Sequence, residues 1–438
     1  MKRTARSTIS PALKAALKKL NTKHFVSTSH GRTVIYTERY DAQLGRDVLD
    51  QSSADDIRLR YSNCRFDTKN PKTGRRSSNS LGEIWLHSPY RRQFEGIVFD
   101  PAGAHPGYYN LWRGFNVRPL KGNWSLMQNH IKQIICSNNP EHTQYLMQYL
   151  AYAVQYPARL PGVAVVLRGR EGVGKGALVE HIGRLFGRHY YKASTSRQLT
   201  GQFGAHLANI VILFADEAVL VDQPDAIGVL KGYITEPLIG LEEKYRTARM
   251  AQSCLHIFMA SNADWVVPAA ADARRFFVLD VSDARKQDRA YFRALYAQMR
   301  GGGLAAMLYD LQHLSVKGFD PAAMPKTEAL LAQKLLSLSL VERWWLTQLE
   351  RRQFLGSSWY RARVVARQAV VEAFLRETGN KLDARVLGAG LRKLLPGRVL
   401  LDASQQQYQR TWEIPSLVQC RASFNQYIGH EYFKILSK

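Results

Sequence analysis

The sequence predicts an α/β protein built around a mostly parallel sheet, and two features of the chain predict it. Four short apolar runs are bounded by polar or turn segments and separated by helical stretches, as is typical of strands buried in a parallel sheet. These runs are VAVVL at 163–167, NIVILFA at 209–215, CLHIFMA at 254–260 and FFVLDV at 276–281. A glycine-rich segment directly follows the first run and precedes an amphipathic helix. With 438 residues, the chain has room for about three domains.

The composition is that of an ordinary globular protein. Hydrophobic residues make up 45% and charged residues 22% of the chain, which excludes a disordered, collagenous or fibrous protein. The chain has no run of about eighteen apolar residues and no signal peptide at its start, so we expect a soluble, cytoplasmic protein without a membrane partner. The four cysteines are far apart and predict neither disulfides nor a zinc site. They are Cys64, Cys136, Cys254 and Cys420.

The charge balance predicts a polyanionic partner. Lys and Arg number 61 against 36 Asp and Glu, which gives a formal net charge of +25. A basic surface that serves only solubility is the alternative. Residues 1–130 carry 22 basic and 10 acidic groups, residues 131–340 carry 23 and 18, and residues 341–438 carry 16 and 8. The excess in both flanks indicates that the centre carries the chemistry and that the periphery holds nucleic acid.

Residues 1–125 form the predicted N-terminal region, which is small, basic and of mixed α+β character. It begins with a basic amphipathic helix and continues through a turn-rich stretch into short aromatic strands. Aromatic rings interleaved with arginines suit base stacking and phosphate contact, but aromatics at strand spacing are also typical of a core. The rings are Trp85, Tyr90, Phe94, Phe99, Trp112 and Phe115, and the arginines are Arg91, Arg92 and Arg113.

Helical regions are predicted on both sides of the central sheet. Residues 126–160 have the apolar spacing of a helical collar or linker, and residues 161–335 hold the sheet. Residues 340–438 predict two helices, the first with Val364, Val371, Phe374 and Leu375 on one face. A hairpin made of RVLLD and YQRTWEI is predicted to follow, an order that fits a winged-helix-like domain. Arg385, Arg392 and Lys393 on the second helix are candidate DNA contacts. The alternative is a helical packing domain whose Lys and Arg are simply solvated.

The glycine-rich segment GREGVGKG, at 169–176, has the composition and the setting of a phosphate-binding loop (P-loop). Its glycines let successive backbone N–H groups face phosphates, the following helix N-terminus adds positive potential, and Lys175 reaches the β- and γ-phosphates. At Gly176 the segment lacks the Ser or Thr hydroxyl that usually binds Mg²⁺, so we expect water, phosphate and acids elsewhere to hold the metal. The predicted ATP-binding residues are Gly169, Gly172, Val173, Gly174, Lys175, Gly176 and Ala177.

Polar residues follow the second and third apolar runs. NIVILFA ends in Asp216 and Glu217, and ligands of open α/β sheets bind at such strand ends. Asp216 is suited to hold Mg²⁺, through water, and Glu217 to share that site and polarise the attacking water. CLHIFMA is followed by Asn262, whose amide is expected to hydrogen-bond the γ-phosphate and the water.

Two arginines open the fourth apolar run. In DARRFFVLDV, Arg274 or Arg275 is a candidate for neutralising charge in the transition state of phosphoryl transfer. A salt bridge with Asp272 is the competing interpretation for one of the pair. The sequence does not say which arginine acts.

In combination, these motifs resemble the superfamily 3 helicases. The P-loop, the Asp216-Glu217 strand, GLEEKYRTARMAQS, MASNADWVVP and DARRFFVLDV occur in the order seen in that family. They look most like the helicase domain on the C-terminal side of phage and mobile-element primase-helicases, including primase-polymerases. HSPYRRQFEGIVFDP, LWRGFNV, AVQYP and LVQCRASF are also similar, so the resemblance covers the chain from about residue 85 to its end.

The resemblance implies an AAA+-like ATPase that forms a homo-oligomeric ring, usually a hexamer, and translocates on single-stranded DNA. It implies a hairpin between the acidic motif and the asparagine that grips the DNA backbone in the central channel. The matching segment contains Lys244 and Arg246, with Arg249 nearby. The alternative is that EEKYR is a solvated helix end. The family also supplies an arginine finger from the neighbouring subunit, which would put Arg274 or Arg275 at the subunit interface.

The sequence therefore predicts an ATP- and Mg²⁺-dependent helicase that acts on single-stranded and replication-fork DNA in a phage, prophage or plasmid, in a bacterial cytoplasm. Residues 1–125 are too short for a typical primase and lack zinc-binding cysteines, so we expect a separate primase or polymerase. The alternative is an ATP-switched origin-binding or loading protein that binds duplex DNA without processive unwinding. An ATPase of an anti-phage or transposition system is a third possibility.

Overall fold

The structure, a computed structural model, divides the chain into two compact units, Met1–Gly114 and Phe115–Lys438. The division falls before the boundary near residue 125 that the sequence predicts. Among the described helices, none combines the length and the hydrophobicity that a membrane-spanning segment requires. The structure describes residues 10–29, 31–43, 46–69, 76–103, 105–200, 207–217, 224–241, 249–266, 273–396 and 411–434.

The first unit combines short helices with small sheets, as the α+β prediction requires. Its first helix begins after the N-cap Ser10, with Pro11 in the first turn, and buries three leucines on one face. In chain order the elements are α1 (Pro11–Asn21), β1 (His24–Ser29), β2 (Arg32–Asp41), β3 (Arg46–Ser52), α2 (Ala54–Arg60), β4 (Arg65–Lys69), β5 (Arg76–Ser80), α3 (Leu81–Leu86), β6 (Gln93–Phe94), β7 (Gly96–Val98) and β8 (Tyr108–Asn110).

Apolar side chains cover both faces of the four-stranded sheet β3-β2-β1-β6. Consecutive strand residues point to opposite faces, so Phe25 packs in the apolar layer on one face of the sheet and Val26 in the layer on the other face. Val26 and Ile35 pack in a cluster with the leucines of α1. Phe25 stacks with Tyr36 and Tyr109 at centroid distances of 5.3 and 4.2 Å.

The aromatic residues of the first unit divide between core and surface. Trp85 is fully buried and donates Nε1–H to Asn21 at 2.8 Å, so it belongs to the core. Tyr90 is exposed. The Arg92 guanidinium lies 5.3 Å from the ring centroids of Phe25 and Phe94, which shows an arginine packed on the aromatic core.

The second unit contains the predicted central sheet and a helical C-terminal part. Two short π-helical segments, His130–Ile135 and Met299–Gly303, continue α4 and α9. In chain order the elements are α4 (Ser125–Asn129), α5 (Pro140–Gln155), β9 (Ala164–Arg168), α6 (Lys175–Phe186), β10 (Tyr190–Ala193), α7 (Ser196–Thr200), β11 (Ile212–Asp216), α8 (Pro224–Thr235), β12 (Leu238–Leu241), β13 (Arg249–Gln252), β14 (His256–Ser261), β15 (Phe276–Asp280), α9 (Arg289–Gln298), α10 (Leu304–His313), α11 (Glu328–Leu336), α12 (Leu340–Arg351), β16 (Gln353–Phe354), β17 (Ser357–Ser358), β18 (Arg363–Ala366), α13 (Arg367–Thr378), α14 (Ala384–Arg392), β19 (Thr411–Ile414) and α15 (Leu417–Ile428).

The central sheet is parallel, and its strand order is β10-β11-β14-β9-β15. All four predicted strands are confirmed, as β9, β11, β14 and β15. Their side chains are almost all buried, which explains the continuous apolar runs. The sequence analysis missed the edge strand β10, because its pattern of half-buried and exposed residues, YYKA, lacks such a run.

The C-terminal part of the second unit has a core of its own, rich in aromatic rings such as Trp345 and Trp359. The two predicted helices are present as α13 and α14. Of the predicted hairpin, RVLLD at 398–402 lies outside the described residues, while TWEI forms β19. In the described residues β19 pairs antiparallel with β18, with Val364 opposite Glu413. Val364 therefore lies in a strand, whereas its apolar spacing predicted a place on a helix.

Candidate functional site at the carboxyl edge of the sheet

The predicted site residues of three strands meet at one edge of the parallel sheet. The glycine-rich loop leaves the end of β9 and enters α6 at Lys175. Asp216 ends β11 opposite Ala260, and Ser261 ends β14 opposite Arg168 at the end of β9. The strand register therefore brings Lys175, Asp216, Glu217 and Asn262 to the same edge, as the sequence predicts.

The glycine-rich loop is wrapped around the ammonium group of Lys175. Lys175 is only 7% exposed, and its Nζ donates to the carbonyl oxygens of Gly169 and Arg170 at 2.5 and 2.8 Å. Burial lowers the pKa of Lys175, while the carboxylates of Glu217 and Asp216 act in the opposite direction. The Lys175 ammonium thus lies at the N-terminus of α6. Both the ammonium and the helix N-terminus favour a negatively charged ligand.

Gly174, the N-cap of α6, sits in a place that no side chain can occupy. Its φ of +98° lies in the left-handed region, and a Cβ atom there would stand 2.5 Å from His130 and 2.7 Å from Phe292. His130 Nε2 donates to the Gly174 carbonyl at 3.1 Å, and the Tyr291 hydroxyl donates to Nδ1 at 3.0 Å. Burial lowers the pKa of His130 to about 4, so the ring is neutral.

Sequence reasoning missed His130. It lies in the π-helical segment that follows α4, far from the glycine-rich loop in the chain. A π-helical segment is frequent at functional sites, but nothing in a lone His within an apolar stretch indicates one.

Glu217 and Asn262 face each other at the end of β11 and β14. Glu217 adopts a left-handed backbone conformation with φ of +57°, which is uncommon for a residue other than glycine. Its N–H donates to the Ala260 carbonyl at 2.8 Å, which fixes this turn against β14. The Asn262 amide donates to Glu217 Oε1 at 3.4 Å, and both side chains are exposed. A carboxylate and an amide are therefore displayed together to solvent.

Lys192, on β10, is a second cation of the site that sequence reasoning missed. Its Nζ lies 2.7 Å from Asp216 Oδ2 and 3.5 Å from Glu180 Oε1. The hydrogen bond to Asp216 is the main cause of a raised pKa for Lys192. Recognising Lys192 required recognising β10 as a strand, because only the pairing of β10 with β11 brings it beside Asp216.

Arg274 and Arg275 lie at the opposite edge of the sheet. β15 pairs with β9 so that Phe276 is opposite Ala164 and Asp280 is opposite Arg168. The two arginines precede Phe276, which leaves roughly 15 Å of strand between them and the glycine-rich loop. Neither arginine can therefore reach the loop of its own chain. Asp272, the competing salt-bridge partner, lies outside the described residues.

Between β11 and β14 the chain forms the antiparallel pair β12 and β13. Ile239 of β12 is buried in the core beneath the sheet, and Leu241 is opposite Arg249. Lys244 and Arg246, the predicted DNA-gripping cations, lie outside the described residues. The hairpin strands are nevertheless present in the segment where the resemblance implies them.

The three predicted DNA contacts of the C-terminal part lie on or next to α14. Arg385, Arg392 and Lys393 are exposed, whereas Leu387 and Leu391 of the same helix are buried. Arg385 and Arg392 are seven residues apart, so they share one face of the helix. α14 therefore presents two arginines on one exposed surface.

The geometry fits a nucleotide and its metal ion. The glycine-rich loop leads into the N-terminus of α6, where backbone N–H groups favour an anion, and Lys175 supplies positive charge. Asp216 and Glu217 supply the oxygen atoms that Mg²⁺ prefers. Within the described ranges no group of three or more His, Cys, Asp or Glu is arranged to hold a metal alone. Such a site would rely on phosphate and water for its remaining ligands.

Comparison with known proteins supports the resemblance. A protein-family model described as a family of unknown function, DUF5906, matches residues 167–275. A DNA primase-polymerase of Nitratiruptor phage NrS-1 is 24% identical over 198 residues, which is 44% of this chain and 27% of that protein. The similarity to a phage primase-polymerase is thereby confirmed. The chain matches only about a quarter of the length of that relative.

Solved structures of the same phage protein share the fold. The apo C-terminal region of NrS-1 matches 93% of this chain and all of the solved chain, with a TM-score of 0.64 and 16% identity. An A-form apo structure of the same region matches 92% of this chain with the same TM-score and identity. The α/β fold with its parallel sheet is therefore shared with the solved C-terminal region of that phage protein.

Proposed function

We propose that the chain is an ATP-driven helicase that translocates on single-stranded DNA during replication of a phage, prophage or plasmid. One observation carries the proposal: Lys175 in a glycine-rich loop, Asp216, Glu217 and Asn262 converge at one edge of a parallel sheet. A cationic loop beside two carboxylates and an amide suits hydrolysis of a nucleoside triphosphate. The similarity to a phage primase-polymerase supports a role in DNA replication.

Each residue has a distinct task in this proposal. The loop N–H groups and Lys175 bind the β- and γ-phosphates, and Asp216 binds Mg²⁺ through water. Glu217 accepts a proton from the attacking water, and Asn262, which donates to Glu217 at 3.4 Å, orients that carboxylate. Mg²⁺, when bound with ATP, neutralises charge that develops on the phosphate oxygens.

The hairpin of β12 and β13 supports a grip on DNA. In the chain it lies between the strand of the acidic pair and the strand of Asn262, and the sequence that connects its two strands, outside the described residues, contains Lys244 and Arg246. In this proposal, a small movement of the strand ends at the ATP site is passed on to Lys244 and Arg246. These cations contact the phosphates of the DNA backbone, which are the same in any DNA sequence. The net charge of +25 favours the same partner.

The position of the two arginines supports a ring. Arg274 and Arg275 lie at the edge opposite their own loop, so they complete a catalytic site only on a neighbouring copy. We therefore propose a homo-oligomeric ring, hexameric as in the resembling helicases, on replication-fork DNA, working with a primase or polymerase. An isolated monomer would hydrolyse ATP poorly.

The nucleotide site is tested by ATP hydrolysis of the wild type and of the Lys175→Ala variant. The variant is expected to fold and to lose hydrolysis, because the ammonium that meets the phosphates is gone. Lys317→Ala removes an exposed lysine elsewhere and serves as the matched control. Turnover by Lys175→Ala at the level of the control would contradict the assignment of the site.

A second candidate, an origin-binding or loading protein, is favoured by the exposed cations of α14. Arg385 and Arg392 face solvent together on a helix of suitable size for a DNA groove. Sequence-specific duplex binding that the double variant R385A/R392A abolishes, without DNA-stimulated hydrolysis in the wild type, would favour this candidate.

A further inference from the structure

The glycine-rich loop has Gly176 where a metal-binding hydroxyl is usual, and the carboxylate of Glu180 lies close to that position. Glu180 lies four residues after Gly176, on the same face of α6. Helix side chains lean towards the N-terminus, so the carboxylate of Glu180 reaches back over Gly176. A Cβ atom built on Gly176 would have Glu180 Oε1 as its neighbour at 3.8 Å.

Glu180 and Asp216 already share one cation. The ammonium of Lys192 lies 2.7 Å from Asp216 Oδ2 and 3.5 Å from Glu180 Oε1. Two carboxylates from different elements, α6 and β11, therefore converge on one positive charge. A metal ion held by both carboxylates would compete with this ammonium for the same oxygen atoms.

The three groups are accessible to a hydrated ion. The side chains of Glu180 and Lys192 are each 37% exposed, and that of Asp216 is 28% exposed. The Lys192 Nζ also lies 5.4 Å from the Phe214 ring centroid, so a metal ion that takes its place requires only this surface side chain to move.

We propose that Glu180 supplies the oxygen ligand that Gly176 cannot, so that Glu180 and Asp216 together hold the Mg²⁺ that accompanies ATP. Lys192 holds the two carboxylates together when no metal is bound. This inference rests on the proposed ATP site, and it explains how that site tolerates glycine after the lysine.

The test is the Mg²⁺ dependence of binding of a fluorescent ATP analogue, which needs no hydrolysis. Glu180→Gln is expected to raise the Mg²⁺ concentration required for tight binding by about 10- to 100-fold. Binding of the analogue in EDTA should stay unchanged, because the phosphate contacts remain. Glu141→Gln, which neutralises an exposed carboxylate on α5, is the matched control and should behave as the wild type.

A second variant makes the role of Glu180 specific. Adding Gly176→Ser to Glu180→Gln returns a hydroxyl to the usual position and is expected to restore most of the lost Mg²⁺ affinity.

Lys192→Met removes the competing ammonium, so the nucleotide-free variant should bind Mn²⁺ more tightly than the wild type in an electron paramagnetic resonance titration. Failure of the hydroxyl to restore affinity, or unchanged Mn²⁺ binding, would overturn the inference.

Two failures are distinguishable in these titrations. If the wild type does not bind the ATP analogue with Mg²⁺ at all, the proposed function itself fails. If the wild type binds it and Glu180→Gln has the same Mg²⁺ dependence, only the assignment of Glu180 fails.

Discussion

Gly174 is the residue whose identity the candidate site constrains most strongly. It combines a left-handed backbone, a carbonyl held by His130, and side chains on both sides that leave no room for a Cβ atom. The helix that carries Lys175 begins directly after it. The geometry of the loop therefore depends on a residue without a side chain.

The Gly174→Ala substitution is expected to destabilise the protein by about 2 to 4 kcal/mol, from the left-handed strain of alanine and the overlap with His130. It should also abolish binding of an ATP analogue. Thermal unfolding and a binding titration measure both effects. Gly228→Ala, on α8 with open space around the new methyl group, is the control and should be neutral or slightly stabilising. Equal stability of the two variants would contradict this account of the loop.

Among single residues of the candidate site, the sequence identified those that directly follow a recognisable strand. Lys175, Asp216, Glu217 and Asn262 each follow an apolar strand, so their positions followed from strand ends. His130 and Lys192 reach the site only through tertiary packing and an unrecognised edge strand. The sequence identified Arg274 and Arg275 as candidates. It did not show at which edge of the sheet they lie, because that depends on the register of β15 against β9.

Among the elements, α11 connects the candidate site to the C-terminal part. Gln333 on α11 is fully buried, accepts from the Val266 N–H at 2.7 Å and donates to the Asp264 carbonyl at 2.6 Å. The next residue, Lys334, donates Nζ–H to the Ile428 carbonyl at the end of α15 at 2.6 Å. One helix thus fixes both the loop after Asn262 and the last described helix.

Replacing Gln333 by leucine is expected to lower the free energy of unfolding by about 2 kcal/mol. The buried N–H of Val266 loses its acceptor, and a buried unsatisfied donor costs about 1 to 3 kcal/mol. Urea denaturation followed by circular dichroism measures the change. Gln368→Leu, at an exposed position on α13, should shift it by less than about 0.5 kcal/mol. A loss no larger than that of the control would show that Gln333 does not hold the loop.

Element prediction succeeded where burial left a clear pattern. β9, β11, β14 and β15 are continuous apolar runs because both faces of each are covered. β18 was assigned to a helix because Val364 has helical spacing to the apolar residues of α13. Its pairing with β19, nearly fifty residues later in the chain, is a long-range choice that a local pattern does not contain.

At the scale of the whole molecule, buried histidines make the stability of the second unit depend on pH. Burial lowers the pKa of His130 and of His256 from 6.5 to about 4. Between these values the unfolded chain binds protons that the folded chain does not. Stability is therefore complete above about pH 6.5 and falls with decreasing pH, by about 1.4 kcal/mol per pH unit for each histidine.

Thermal unfolding between about pH 8 and about pH 5 checks this expectation. The melting temperature should fall on the acid side, and His130→Gln, which keeps a donor for the Gly174 carbonyl but does not titrate, should show a smaller fall. A melting temperature independent of pH, or an equal fall in the variant, would contradict the assigned neutral state of His130.

The molecule as a whole is proposed to turn ATP hydrolysis into movement on single-stranded DNA. The site at the carboxyl edge, the hairpin that lies between β11 and β14 in the chain, and the arginines at the opposite edge are separate parts of one chain. They act together only if hydrolysis responds to DNA and if several copies assemble. The proposal therefore predicts that ATP hydrolysis depends on both DNA binding and assembly, a dependence that no single part of the structure provides.

The most direct test measures ATP hydrolysis by the wild type and by Lys244→Ala, with and without single-stranded DNA, together with native mass at the same protein concentration. The account predicts a ring-sized species whose hydrolysis DNA stimulates, and a variant that keeps its basal hydrolysis but loses that stimulation. Hydrolysis indifferent to DNA in the wild type, or full activity from a monomer, would contradict the account.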